Sequence, residues 1–172
     1  FLADEGQTWV SADYAQVELR VAAALSQEPA WLDAFAAGED VHQSVADRVG
    51  VTRKTAKALN FGVIYGLTAF GISQQTELSP DQGSQFIKTY FGTYPRVWTY
   101  LEETIIEARE SGYVQTYLGR KRYIPDITSS NYQLRQAAER MAVNMPVQGT
   151  AAEIIKEAML SIHQQFRPAI TI

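Results

Sequence analysis

The sequence contains no cysteine and only two histidines, His42 and His163. Without thiols there is no disulfide and no thiolate zinc centre. Two imidazoles leave little scope for a histidine-rich metal cage, so any bound metal must be held mainly by oxygen. No apolar run approaches the roughly 20 residues that a membrane-spanning helix needs. The opening residues, FLADEGQTWV, lack the basic, apolar and small-residue zones of a secretory signal. The expected setting is therefore cytoplasmic. Internal repeats and low-complexity linkers are absent too, and 172 residues, 46% hydrophobic and 20% charged, suffice to bury a core in one domain or two small lobes.

Acidic residues are missing from two stretches. Residues 51–76 hold Arg53, Lys54 and Lys57, and residues 111–125 hold Arg120, Lys121 and Arg122, with no carboxylate in either. The net charge is −4, so with +6 in these stretches the remainder carries −10. An acidic body with two cationic surfaces suits contact with polyanions, although solvated helix faces give a similar count.

Helical signals dominate what is present. VELRVAAALS reads as a helix, and EPAWLDAFAAG as another, with Pro29 in its first turn and Gly38 at its end. DVHQSVADRVG opens with Asp40 as N-cap and Gln43 three residues on, as in a capping box, and closes at Gly50. Thr52 caps the next helix, Ser79 with Pro80 starts another, and RVWTYLEETIIEARESG runs to Gly112. YVQTY, LGRK and RYIP form a basic-tipped hairpin. A long helix is expected from about Tyr132 to about Phe166, interrupted near Pro146. Short strands are expected in TWVSAD, ending at Asp13, and at the beginning of AITI.

Within RKTAKALNFGVIYG, residues 53 to 66, Arg53, Lys57, Phe61 and Tyr65 recur every four positions. At 100° per residue they share one face along roughly 18 Å of helix, while Ala56, Leu59 and Val63 line another side. The cations lie at the end where the helix dipole already favours anions, which strengthens a phosphate site, and the rings further on offer flat surfaces for a sugar or base. An ordinary amphipathic helix with core aromatics and solvated lysines has the same spacing. In SADYAQVELR, an acid at a strand end precedes a helix carrying Glu18, a common setting for a magnesium ligand and equally for an N-cap.

DYAQVELR resembles motif A, and RKTAKALNFGVIYG motif B, of the family A DNA polymerases. GEDVHQS, TYFGTYPRVWTYLEE, GYVQTYLGRKRYIPDI and AAERMAVNMPVQGTAAEIIKEAM are similar to further segments of that family, in the same order. The resemblance covers essentially the whole chain. It implies an α+β fold in which a mainly helical fingers subdomain is inserted in a partial palm with a small antiparallel sheet. Residues 1–28 would be palm with motif A, 29–112 mainly fingers with motif B, and 113–172 hairpin and palm helices.

The implied activity is template-directed transfer of a deoxynucleotide to a primer 3′-hydroxyl by two magnesium ions. Asp13 would bind both ions and the backbone carbonyl of Tyr14 one of them. Arg53 and Lys57 would clamp the triphosphate, with His42 as a further phosphate contact and Gln16 at the nucleotide; Lys54 matches a basic position but faces elsewhere. Phe61 would pack on the deoxyribose and, not being Tyr, implies discrimination against dideoxynucleotides. Tyr65 and Glu18 would pair where a ribose 2′-hydroxyl would otherwise sit. Arg140, Asn144 and Gln148 would contact the primer-template minor groove, and Arg122 with its basic neighbours the duplex backbone. The implied partners are primer-template DNA and deoxynucleoside triphosphates, with no membrane and no obligate protein partner.

Three departures qualify the match. Ala15 stands where many members have Ser. The 10 residues between His42 and Arg53 form a compact linker like that of phage and mitochondrial members, which suggests a viral or prophage origin. The thumb expected before motif A and the His-Asp-Glu turn of motif C expected after it do not occur in the 172 residues, so the chain is expected to be part of a longer product. An alternative is a catalytically incomplete module that binds nucleotide or primer-template. A single-subunit RNA polymerase is disfavoured by Glu18 and the deoxyribose-type motif A.

Overall fold

A computed structural model describes residue 3 and residues 5–66, 69–75 and 78–166. Eight helices carry most of the chain: α1 (Val17–Ser26), α2 (Pro29–Ala36), α3 (Val41–Val49), α4 (Arg53–Ile64), α5 (Ala69–Gln75), α6 (Pro80–Thr93), α7 (Pro95–Ser111) and α8 (Tyr132–Phe166). Between α7 and α8 lie the antiparallel strands β1 (Tyr113–Gln115) and β2 (Lys121–Tyr123) and one 3-10 turn, Pro125–Thr128, with Tyr113 opposite Tyr123 and Gln115 opposite Lys121. The class is the expected one, mainly helical with a small antiparallel sheet.

The local signals set most boundaries. Thr52 Oγ1 accepts from Thr55 N at 3.2 Å to start α4, and Ser79 and Gln82 form a reciprocal capping box on α6. Gly50 and Gly112 close α3 and α7 in the left-handed conformation. At α3 only half of the expected box forms. Asp40 Oδ1 accepts from His42 N and Gln43 N, but the Gln43 side chain donates to Asp47 Oδ1 at 2.7 Å instead of folding back.

Two expectations are corrected. Residues 8–13 form no strand, although their pattern alternates. A strand needs a neighbouring strand to complete its ladder, and the one sheet among the described residues is the β1–β2 pair, which this segment does not join. The long helix is not interrupted at Pro146, which lies inside an unbroken α8. Proline there costs about 3 kcal/mol through the lost N–H and the ring clash. Burial of Ala142, Val143, Pro146 and Val147 on one face over two turns offsets that cost. The strand expected in AITI lies outside the described residues.

The main core runs from α1 through α8. Trp31, Tyr90 and Tyr94 are its largest fully buried side chains, with Tyr94 centred 5.9 Å from Trp31 and 5.0 Å from Tyr90. A smaller cluster of Ala108, Val114, Ile124, Ile127, Ala138 and Ala142 seats the hairpin. The hairpin tip is pinned to the middle of α8. Tyr117 N donates to Thr150 Oγ1 at 2.9 Å, and Thr116 Oγ1 and Arg120 Nε both meet Glu153 Oε1, at 3.0 and 3.1 Å. Gly149 permits this approach, since a Cβ there would stand 2.5 Å from Thr116 Cγ2.

One buried carboxylate ties helices far apart in sequence. Glu28 Oε1 accepts from Ala30 N at 3.4 Å at the start of α2, and its Oε2 accepts from Arg96 N at 3.1 Å at the start of α7. Two orphan donors are thus satisfied by one side chain. Glu28→Ala is expected to lower unfolding stability by about 2 kcal/mol in urea titrations. The exposed Glu39→Ala should change it by less than about 0.5 kcal/mol. Equal effects would show that the double cap contributes nothing.

Candidate functional site

The orientation of α4 determines the site. Ala56, Leu59 and Val63 are fully or almost fully buried, so the opposite side of the helix faces outward. Arg53 and Lys57 are exposed there and Phe61 is half-buried. Tyr65 lies one residue past the helix, as its C-cap, yet remains in line: the Phe61 and Tyr65 rings stack with centroids 6.2 Å apart and planes at 22°. The Tyr65 hydroxyl donates to Glu18 Oε2 on α1. Burial, then the Glu18 contact, push the Tyr65 hydroxyl up to about 12, with a Gln148 side-chain contact opposing. Tyr65 therefore keeps its proton at neutral pH and acts as a donor. The expected Tyr65–Glu18 pair is present.

The cationic end is structured by α3. Asp40, already the cap of that helix, turns Oδ2 to Arg53, which donates from Nη2 at 2.6 Å and from Nε at 2.7 Å. Desolvation raises the Asp40 carboxyl, but the hydrogen bonds from Arg53 and the α3 backbone outweigh it and hold the carboxyl below its ordinary 3.8. Lys54 and Lys57 form no ion pair among the described residues. His42 is 2% exposed, with its ring 5.7 Å from that of Phe61. Its Nδ1 lies 3.0 Å from Asn60 Nδ2, and Asn60 Oδ1 accepts from Tyr90 Oη at 3.0 Å. Desolvation lowers the His42 pKa below 6.5; Asp40 opposes this, while Arg53 and Lys57 reinforce it.

At the other end, Asp13 and Tyr14 are exposed just before the turn at Ala15 and Gln16 that leads into α1. Gln16 makes that turn at φ 57°, a left-handed conformation uncommon for a side-chain-bearing residue. Arg20 Nε braces it by donating to Ala15 O at 3.1 Å. Among the described residues no three acidic or imidazole groups cluster as a metal cage; Asp13 offers an exposed carboxylate next to the main chain of Tyr14.

The expected minor-groove residues lie along α8. Gln148 reaches Tyr65, and Arg140 packs against Gly66, where φ is 65° and a Cβ would stand 3.0 Å from Arg140 Cγ. Asn144 Oδ1 is enclosed, with no hydrogen-bond partner among the described residues. Arg122 is apart from all of these, exposed on β2. A mainly apolar cavity of about 300 Å³ lies behind the end of α4, lined by Val63, Gly66, Phe91, Trp98 and Arg140 among others; of the candidate residues it contains Arg140 alone. Sequence reasoning missed Asn60, Tyr90 and the second role of Asp40. An amide inside an otherwise well-formed helix was the available signal for Asn60, because Asn is unfavourable there unless something holds it.

The model of DNA polymerase family A matches residues 1–171. DNA polymerase I of Pseudomonas aeruginosa is 43% identical over 171 residues, covering 94% of this chain and 19% of that protein. The thermostable DNA polymerase I of Thermus aquaticus is also 43% identical, covering 94% of this chain and 21% of its own length. The chain thus spans about one fifth of the length of these relatives. Among solved structures, the POL domain of Pol1 from M. smegmatis in complex with DNA primer-template and dNTP aligns with a TM-score of 0.86 at 42% identity, covering 91% of this chain and 29% of that one.

The buried His42 predicts a pH dependence. Unfolded, it takes up a proton near 6.5; folded, it does so only at lower pH. Its contribution is fully present above 6.5 and is lost as pH falls from there toward the folded value, whereas Asp40 acts only below 3.8. Urea midpoints measured from pH 8 to 5 should decline in the wild type and in His163→Gln, and decline less in His42→Gln. Parallel curves for all three would rule out this origin.

Proposed function

Because the chain belongs to DNA polymerase family A, we propose that these residues form the nucleotide-binding face of a template-directed DNA polymerase, acting on primer-template DNA and deoxynucleoside triphosphates. One observation carries the reading: the line of Arg53, Lys57, Phe61 and Tyr65 ends on Glu18, so a cationic end, a pair of rings and a carboxylate form one continuous clamp. In that clamp Arg53 and Lys57 hold the triphosphate and neutralise charge developing in the transition state. The Phe61 ring packs against the deoxyribose. Tyr65 and Glu18 fill the volume that a 2′-hydroxyl would need, so ribonucleotides are disfavoured by sterics and by the desolvation of a hydroxyl forced against them. His42 offers a phosphate only its Nε2 edge, because Nδ1 is engaged.

Beyond the nucleotide, Arg140, Asn144 and Gln148 would test base-pair geometry through minor-groove acceptors common to all correct pairs. Arg122 and the hairpin would meet duplex phosphates. Residues 1–28 and 113–172 correspond on this reading to palm and 29–112 mainly to fingers, although a single core joins them. Such work belongs in the cytoplasm.

Polymerases of this family use divalent metal. Asp13 and the Tyr14 carbonyl suit magnesium in kind, as hard oxygen donors exposed at the turn, and magnesium normally takes one or two carboxylates, waters and substrate phosphate. Bound there, two such ions would activate the primer hydroxyl and stabilise the leaving pyrophosphate. A second reading is nucleotide binding without turnover, because among the described residues no three acidic or imidazole groups gather into a metal cage.

Titration of the chain with magnesium–dATP and magnesium–ATP tests both. The wild type should prefer dATP, Glu18→Ala should narrow that preference, and Lys57→Ala should weaken both nucleotides by roughly tenfold. Unchanged affinity in Lys57→Ala would remove the clamp. Primer extension abolished by Asp13→Ala would favour the polymerase over the binding module.

A further inference from the structure

The clamp accounts for the exposed residues of α4 but not for the buried polar chain beneath them. We propose that Asn60 and Tyr90 are positioning residues for His42. Together they fix its imidazole as the neutral tautomer protonated on Nε2, making His42 an uncharged N–H donor beside the two cations of the clamp. The tautomer follows from the hydrogen bonds alone; only the use of that donor rests on the nucleotide-clamp reading.

The chain of reasoning starts at Tyr90. It is 0% exposed, and among the described residues its hydroxyl has one hydrogen-bond partner, Asn60 Oδ1 at 3.0 Å. A buried hydroxyl must place its proton on an acceptor, and this oxygen is the one available. Asn60 Oδ1 is thereby committed as acceptor, which turns Nδ2 toward His42 Nδ1 at 3.0 Å. An amide nitrogen only donates, so Nδ1 must present a lone pair. The single proton of the neutral ring then lies on Nε2. Reversing the amide would face its NH2 to Tyr90 and leave the hydroxyl proton unpaired in the core.

The surroundings oppose a second proton. Imidazolium would set an N–H against the Asn60 NH2. From α4, Arg53 and Lys57 repel the added charge, and burial disfavours it further. The counter-charge is Asp40 at the start of α3, whose Oδ1 is committed to backbone N–H groups and whose Oδ2 is committed to Arg53. From α6, Tyr90 offers a hydroxyl already spent on Asn60. Nε2 makes no hydrogen bond among the described residues. His42 as a whole is 2% exposed, so only this edge of the ring is left for a ligand. An oxygen of the triphosphate is the acceptor that this N–H would meet, with a strength that does not change across neutral pH.

The test is nuclear magnetic resonance on the 15N-labelled chain, with its two histidines assigned by His163→Gln. From pH 8 to 6, His42 should show a bare Nδ1 and a protonated Nε2, and saturating magnesium–dATP should shift Nε2 while leaving Nδ1 bare. Asn60→Asp offers acceptors to both neighbours, so the proton should move to Nδ1 and the His42 midpoint should rise by about one pH unit or more. Tyr90→Phe should yield a mixture of tautomers. A wild-type His42 protonated on Nδ1, or charged at pH 7, overturns the proposal however the variants fold. The expected tautomer with an Nε2 signal indifferent to bound nucleotide overturns the donor role alone. If dATP does not bind at all, the clamp reading fails and the tautomer assignment stands.

Discussion

The buried contact between Asn60, His42 and Tyr90 is what the rest of the site hangs on. It crosses from α3 through α4 to α6 at a point where no water can substitute for a missing partner. An unmade bond there would cost roughly 1–3 kcal/mol, enough to favour one rotational setting of α4 over its neighbours. Apolar contacts of Ala56, Leu59 and Val63 define a buried side only broadly, since packing tolerates small rotations. The amide fixes the angle. Once it is fixed, the positions of Arg53, Lys57 and Phe61 at the surface follow from helical geometry.

The two ends of the clamp are held by different physics. Arg53 is held by a half-exposed ion pair, whose strength is screened by salt and whose partner an anion can replace. Tyr65 and Glu18 are held by a partly buried, charge-assisted hydrogen bond at the junction of α1, α4 and α8. The first end is thus built to exchange partners and the second to hold its shape. That asymmetry suits a ligand whose phosphates must be gripped and released while its sugar is measured.

Much of the fold was legible in the sequence because its signals are local. Caps at Asp40, Thr52 and Ser79 and glycines at 50 and 112 act within one turn of chain, so neighbours in sequence suffice to read them. The stripe was legible because helical periodicity is also local. The failures were non-local. Residues 8–13 alternate as a strand should, but pairing depends on a partner that pattern does not reveal. Pro146 breaks a local rule, and only its burial across α8 shows why the helix tolerates it. Asn60 and Tyr90 are 30 residues apart, and no spacing rule links them. Motif resemblance, by contrast, carried the Tyr65–Glu18 pairing across 47 residues, which spacing could not.

Gly149 and Thr116 carry an implication for how such a chain diverges. With the built Cβ position only 2.5 Å from the threonine methyl, neither side of the contact is free to enlarge alone. A lineage could acquire alanine at 149 only after serine or glycine had appeared at 116, so the order of substitutions is constrained even if both endpoints fold equally well. The seam between hairpin and helix therefore admits change in one order only, with position 116 shrinking before position 149 can grow.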